Sequence, residues 1–128
     1  YAGLALPTPL PALTVGAAFD YRTDGVAVAT ENEAYAFGGY ASFQATEKLK
    51  VNARVEYARG DDGSFFANTT GVSQNKLLGS TLTLDYSLWA NVISRAEVRW
   101  DHSLNSEAPF GVADKNAISL AANIIYKF

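Results

Sequence analysis

The chain has no cysteine and only one histidine. A disulfide framework and a thiolate metal site are therefore excluded, although the absence of cysteine does not by itself assign a compartment. No window approaches the ~18 consecutive apolar residues of a membrane helix. Basic runs are also missing. Ten Lys and Arg stand against thirteen Asp and Glu, a formal charge of −3, so phosphates find no landing site and a nucleic-acid partner is not expected. The chain begins at Tyr1 rather than Met and shows no signal-peptide pattern, which reads as N-terminal sequence removed. No stretch carries a convincing helical period.

A period of two is present instead, and it repeats. Leu13, Val15, Ala17, Phe19 and Tyr21 alternate with Thr14, Gly16, Ala18, Asp20 and Arg22. Leu49, Val51, Ala53, Val55 and Tyr57 alternate with Lys50, Asn52, Arg54, Glu56 and Ala58. Ile118, Leu120, Ala122, Ile124, Tyr126 and Phe128 form a wholly apolar set beside the mixed Ser119, Ala121, Asn123, Ile125 and Lys127. The same pattern places six strands at about 13–22, 34–45, 49–59, 77–88, 92–102 and 117–128. "YAGLAL" reads as the tail of a seventh. The fold class is all-β, an antiparallel up-and-down meander of six to seven strands.

The connections alternate in length. "PTPLPA", "ATEK" and "LWAN" are short, and the first holds three of the four prolines, which cannot donate to a strand ladder. "TDGVAVATEN", "GDDGSFFANTTGVSQN" and "HSLNSEAPFGVADKN" are long and polar. Short turns at one end and long loops at the other match a transmembrane β-barrel. Strands of about eleven residues, tilted by ~45°, also match its ~25 Å apolar band. On this reading the apolar set meets lipid and the charged set faces the lumen. Aromatics of the apolar set gather near strand ends, as interfacial girdles require: Tyr21, Tyr35, Tyr57 and Trp100 above, Phe43, Tyr86, Tyr126 and Phe128 below. Small and aliphatic residues fill the middle of that set, too thin a filling for a soluble core.

"NVISRAEVRWDHS", followed by a last strand ending in "YKF", is similar to the closing strands of the porin-2, OmpL-like family of bacterial outer-membrane barrels. The resemblance implies the bacterial outer membrane and passage of small hydrophilic solutes. Lipid and the barrel-assembly machinery are the implied partners, self-association is left open, and no cofactor is implied. In such barrels a terminal aromatic with hydrophobics at alternate preceding positions is the assembly signal. Ile124, Tyr126 and Phe128 match it, whereas Ala121 and Asn123 depart from its usual residues. Single-chain membrane barrels need about eight strands, so residues 1–128 are expected to be the C-terminal part of one larger barrel domain.

The expected lumen face carries Arg22, Lys50, Arg54, Arg95, Arg99 and Lys127 against Asp20, Glu56, Asp85, Glu97 and Asp101. Six positive and five negative charges nearly cancel. They read either as facing basic and acidic rows of a pore or as a salt-bridge network stiffening the wall. Tyr40 and Gln44 are placed to narrow the passage, on the strand whose phase Gly38-Gly39 makes ambiguous. Arg54-x-Glu56 and Arg95-x-Glu97 form an internal echo of repeated hairpins. The long loops are predominantly acidic and read as solvated surface.

Other motifs carry little. Arg59-Gly60-Asp61 suits a turn, and Asn68-Thr69-Thr70 fits a glycosylation acceptor by letter only. Asp101-His102-Ser103 cannot form a relay, since neighbouring side chains on a strand point to opposite faces. No catalytic residue and no metal site is therefore assigned. Two alternatives to a channel stay open. One is a non-conducting structural or adhesive barrel; the other is a soluble lipocalin-like ligand-binding barrel with the apolar set inside.

Overall fold

The computed structural model describes residues 1–24, 32–61, 76–105, 108–111 and 113–128; for Asp24 and Asn32 it describes the backbone alone. Seven strands follow one another: β1 (Ala2–Pro7), β2 (Leu13–Asp24), β3 (Asn32–Gln44), β4 (Leu49–Gly60), β5 (Lys76–Trp89), β6 (Val92–Ser103) and β7 (Asn116–Tyr126). They form one antiparallel sheet in the order β1-β2-β3-β4-β5-β6-β7, with β1 and β7 at its two edges. The expected strands are all present. The last stops at Tyr126 rather than Phe128, although the Lys127 amide still donates to the Asn91 carbonyl at 2.8 Å.

Local chemistry closes the short turns. In the proline-rich turn, Thr8 Oγ1 donates to the Leu13 carbonyl at 2.9 Å and accepts the Leu10 amide at 3.2 Å. Thr46 plays the same part between β3 and β4, where its hydroxyl accepts the Leu49 amide at 3.0 Å. Hydroxyl-to-backbone bonds of this kind suit tight turns. The turn between β5 and β6 is Ala90-Asn91, preceded by an irregularity between Ser87 and Trp89.

Register preserves the two faces across the whole sheet. Phe19, Phe37, Tyr57 and Leu78 lie directly opposite one another in turn, as do Ala17, Gly39, Val55 and Ser80. Tyr40 opposes Arg54, which opposes Thr81, which opposes Arg99. A slip of one residue in any pair would exchange the faces; the one shift in these pairings lies at the very end of β5, between Ser87 and Trp89. This also settles β3: Gly39 falls on the apolar side, Tyr40 and Gln44 on the polar side.

The polar face is the sheltered one. Along β4 and β5, Asn52, Arg54, Glu56, Thr81, Thr83 and Asp85 are half-buried, while Ala53, Val55, Leu82, Leu84 and Tyr86 are exposed. A concavity of about 580 Å³ on that face is bordered by residues from β1 through β6. The sheet thus curls around its charged side and turns its apolar side outward. Among the described residues, Ala18 and Ala58 are the only buried apolar side chains. A soluble barrel would bury its apolar set; among the described residues this sheet leaves every member of that set exposed or half-exposed.

Candidate pore-lining face

Levels perpendicular to the strands organise the concave face. Nearest the short turns, Lys50, Asp85 and Arg95 stand in register. The next level holds Ser42, Asn52, Thr83 and Glu97. Tyr40, Arg54, Thr81 and Arg99 form the third, and Gly38, Glu56, Gly79 and Asp101 the fourth. Beyond them come Asp20 with Ala36, Ala58, Leu77 and Ser103, then Arg22 with Ala34 and Gly60. Ser103 is only 1% exposed. Lys127 lies past the end of β7 and borders a lower concavity together with Arg95.

Within this wall, the expected facing rows resolve into charge that alternates along the strands. Arg54 and Arg99 share one level, Glu56 and Asp101 the next. The echo seen in sequence is displaced accordingly: Arg54–Glu56 lines up with Arg99–Asp101, and Arg95–Glu97 falls nearer the short turns.

Ion pairs of two kinds lie on this face. Arg54 pairs with Glu56, and Arg99 holds Asp101 through two bonds of 2.8 Å; each pair joins residues two apart on one strand. Arg95 instead reaches across to β5, holding both oxygens of Asp85 at 2.6 and 3.0 Å. Asn52 donates to the same carboxylate at 3.3 Å and accepts the Ser42 hydroxyl at 2.7 Å. One chain of bonds therefore ties β3, β4, β5 and β6 together. Thr83 adds a 2.8 Å hydroxyl bond to Glu97. Bidentate, charge-assisted contacts of this type set orientation as well as adding energy.

Neutral neighbours set the shape of this face. The Arg54 guanidinium lies over the Tyr40 ring, 5.9 Å from its centre. A Cβ on Gly79 would stand 3.0 Å from an Asp101 carboxylate oxygen, so glycine there makes room for the Arg99–Asp101 pair. Charge counting could not find Ser42, Asn52, Thr81, Thr83 or Gly79. Their parity with the charged residues was the available signal.

The convex face gathers the aromatics. Tyr21 and Tyr35 are cross-strand partners, and Phe19, Tyr35 and Tyr57 form a chain of ring contacts at 6.5 and 6.3 Å. Trp100 stacks on His102 at 5.4 Å and donates to Asn116 Oδ1 at 3.0 Å. Toward the short turns this face carries Phe43, Tyr86 and Tyr126. Phe128, fully exposed, lies two residues beyond β7. Trp89 joins the convex side unexpectedly. Plain alternation with Asp85 and Ser87 would turn it inward, but the irregularity after Ser87 sets it opposite Val92.

The remaining motifs take plain places. His102 is on the opposite face from Asp101 and Ser103, so the three form no relay. Asp61 of the Arg-Gly-Asp run accepts the Glu33 amide at 2.8 Å at the strand end. Asn68-Thr69-Thr70, and the loop acids Glu31, Asp62 and Glu107, lie outside the described residues.

A meander of long strands, curled around charge and apolar outside, defines the wall of a transmembrane β-barrel. The family model described as "Putative beta-barrel porin-2, OmpL-like" matches residues 7–128. The chain belongs to that family. No curated protein and no solved structure matches it.

Proposed function

We propose that this chain forms part of an outer-membrane porin through which small hydrophilic solutes diffuse passively, and that its concave face lines the water-filled lumen. The observation that carries the reading is the inversion of polarity: on the inner curve Arg54, Glu56, Asp85, Arg95, Glu97 and Asp101 are half-buried, while on the outer curve Phe37, Val55, Leu82, Leu84 and Val98 are exposed. Lipid accepts the second surface and a water-filled channel the first. Asp20, Arg22, Lys50, Arg54, Glu56, Asp85, Arg95, Glu97, Arg99, Asp101 and Lys127 are the lining residues of this reading. Tyr21, Tyr35, Phe43, Tyr57, Tyr86, Trp100, Tyr126 and Phe128 are its interfacial anchors. Further strands pair with the edges of β1 and β7, because unsatisfied backbone groups in hydrocarbon cost several kcal/mol each. Ile124, Tyr126 and Phe128, all exposed, are offered to the assembly machinery.

The chain of bonds from Ser42 to Arg95 favours a second reading, a braced wall that does not conduct. Planar-bilayer recording of the full-length protein separates the two. Stepwise openings are expected, and Arg54→Glu, Arg95→Glu and Arg99→Glu together are expected to move the reversal potential toward cations. Protein that inserts and stays silent would leave the braced wall.

A further inference from the structure

The concave face is unequal along its length. At the short-turn end a second concavity, of about 340 Å³, is lined by Lys48, Lys50, Arg95 and Lys127 with a single carboxylate, Asp85. Asp85 is already committed to Arg95 and Asn52. Among the described residues, none of the three lysines stands within ion-pair distance of a carboxylate. Lys48 belongs to this side because its carbonyl accepts the Ser87 amide at 2.8 Å, which places it beside an inward residue of β5. The floor breaks the polar pattern of the face: Ile93 and Ile125, direct cross-strand partners, both line the basin.

We infer that this basin binds small organic anions, taking a phosphate or carboxylate group on Lys48, Lys50 and Lys127 and the carbon skeleton against Ile93 and Ile125. A cleft with an excess of one sign of charge, here four basic side chains against Asp85, above a low-dielectric floor concentrates counter-ions. The adjacent apolar pair gives an organic anion something that an inorganic one cannot use. The inference rests on the reading of the concave face as lumen, since only there do the lysines meet solute rather than lipid.

The test is titration of the full-length protein, in phosphatidylcholine nanodiscs, with inorganic phosphate and with phenyl phosphate, followed by calorimetry. Both are expected to bind, phenyl phosphate more tightly. The triple variant Lys48→Gln, Lys50→Gln, Lys127→Gln should weaken both by about tenfold, and raising salt should do the same. Ile93→Ser should abolish the preference for phenyl phosphate and leave inorganic phosphate unchanged. Equal binding by wild type and triple variant would overturn the inference. So would competition from phosphatidylglycerol added to the nanodiscs, which would assign the lysines to a lipid headgroup. The companion bilayer recording keeps the two readings apart. Binding without conductance upholds the basin and removes the pore; conductance without binding does the reverse.

Discussion

The two faces of this sheet share one backbone and differ in almost everything else. On the outer curve, side chains make ring contacts and van der Waals neighbours, and the large apolar groups stand exposed. On the inner curve, hydroxyl, amide and ion-pair contacts run from strand to strand. In water such a molecule would be inside out. Hydrogen bonding and charge specify the interior of this wall, and on the proposed reading the lipid outside it takes the part that an apolar core plays in a soluble protein. On that reading, apolar burial here is burial in lipid.

The sharpest way to break the comparison is to place the same charge on either side. Leu82→Arg, in the middle of β5 on the outer face, should cost about 2–4 kcal/mol of folding stability in lipid vesicles. Thr83→Arg, one residue on and facing inward, should cost less than about 1 kcal/mol. Equal costs for the two would erase the distinction between faces. Denaturant titration of the full-length protein in vesicles supplies both values.

Ion pairs within the inner face offer a finer contrast. Arg95→Met removes the bidentate tie between β5 and β6 and leaves the half-buried Asp85 carboxylate with the Asn52 hydrogen bond, which should cost about 1–2 kcal/mol. Arg99→Met breaks a pair confined to one strand and half open to water, and should cost below about 1 kcal/mol. The same titration ranks them. Smaller still is the contrast between two glycines. Gly79→Ala crowds the Asp101 carboxylate, whereas Gly39→Ala, on the outer face, meets nothing within 4 Å. The first is expected to shift ion selectivity by loosening Arg99 from Asp101 and the second to leave it unchanged, both read as reversal potentials.

Strand positions and the two faces were legible from the period of two, and the meander order from the alternating lengths of the connections, because a one-residue slip in a sheet with unlike faces would exchange them. The same logic resolved Tyr40 once Arg54 was set opposite it. Pairing partners were not legible. Arg95 lies two residues from Glu97 in sequence, yet it holds Asp85 on the neighbouring strand, since cross-strand register decides which charges meet. Trp89 was hidden for a different reason: one irregular residue reverses the alternation, and nothing in "SLWAN" marks where. The basin of Lys48, Lys50 and Lys127 joins the start of β4 to the end of the chain, so a net count over the whole face concealed it.

Contact between the apolar face and lipid can be measured directly. Residues 1–128 hold no cysteine; with any cysteine elsewhere in the full-length protein replaced, single cysteines at residues 81, 82, 83 and 84 can carry nitroxide labels in a lipid bilayer. Labels at 82 and 84 are expected to collide with dissolved oxygen, and labels at 81 and 83 with a water-soluble nickel chelate. The opposite alternation would put the charged face against lipid and contradict the account.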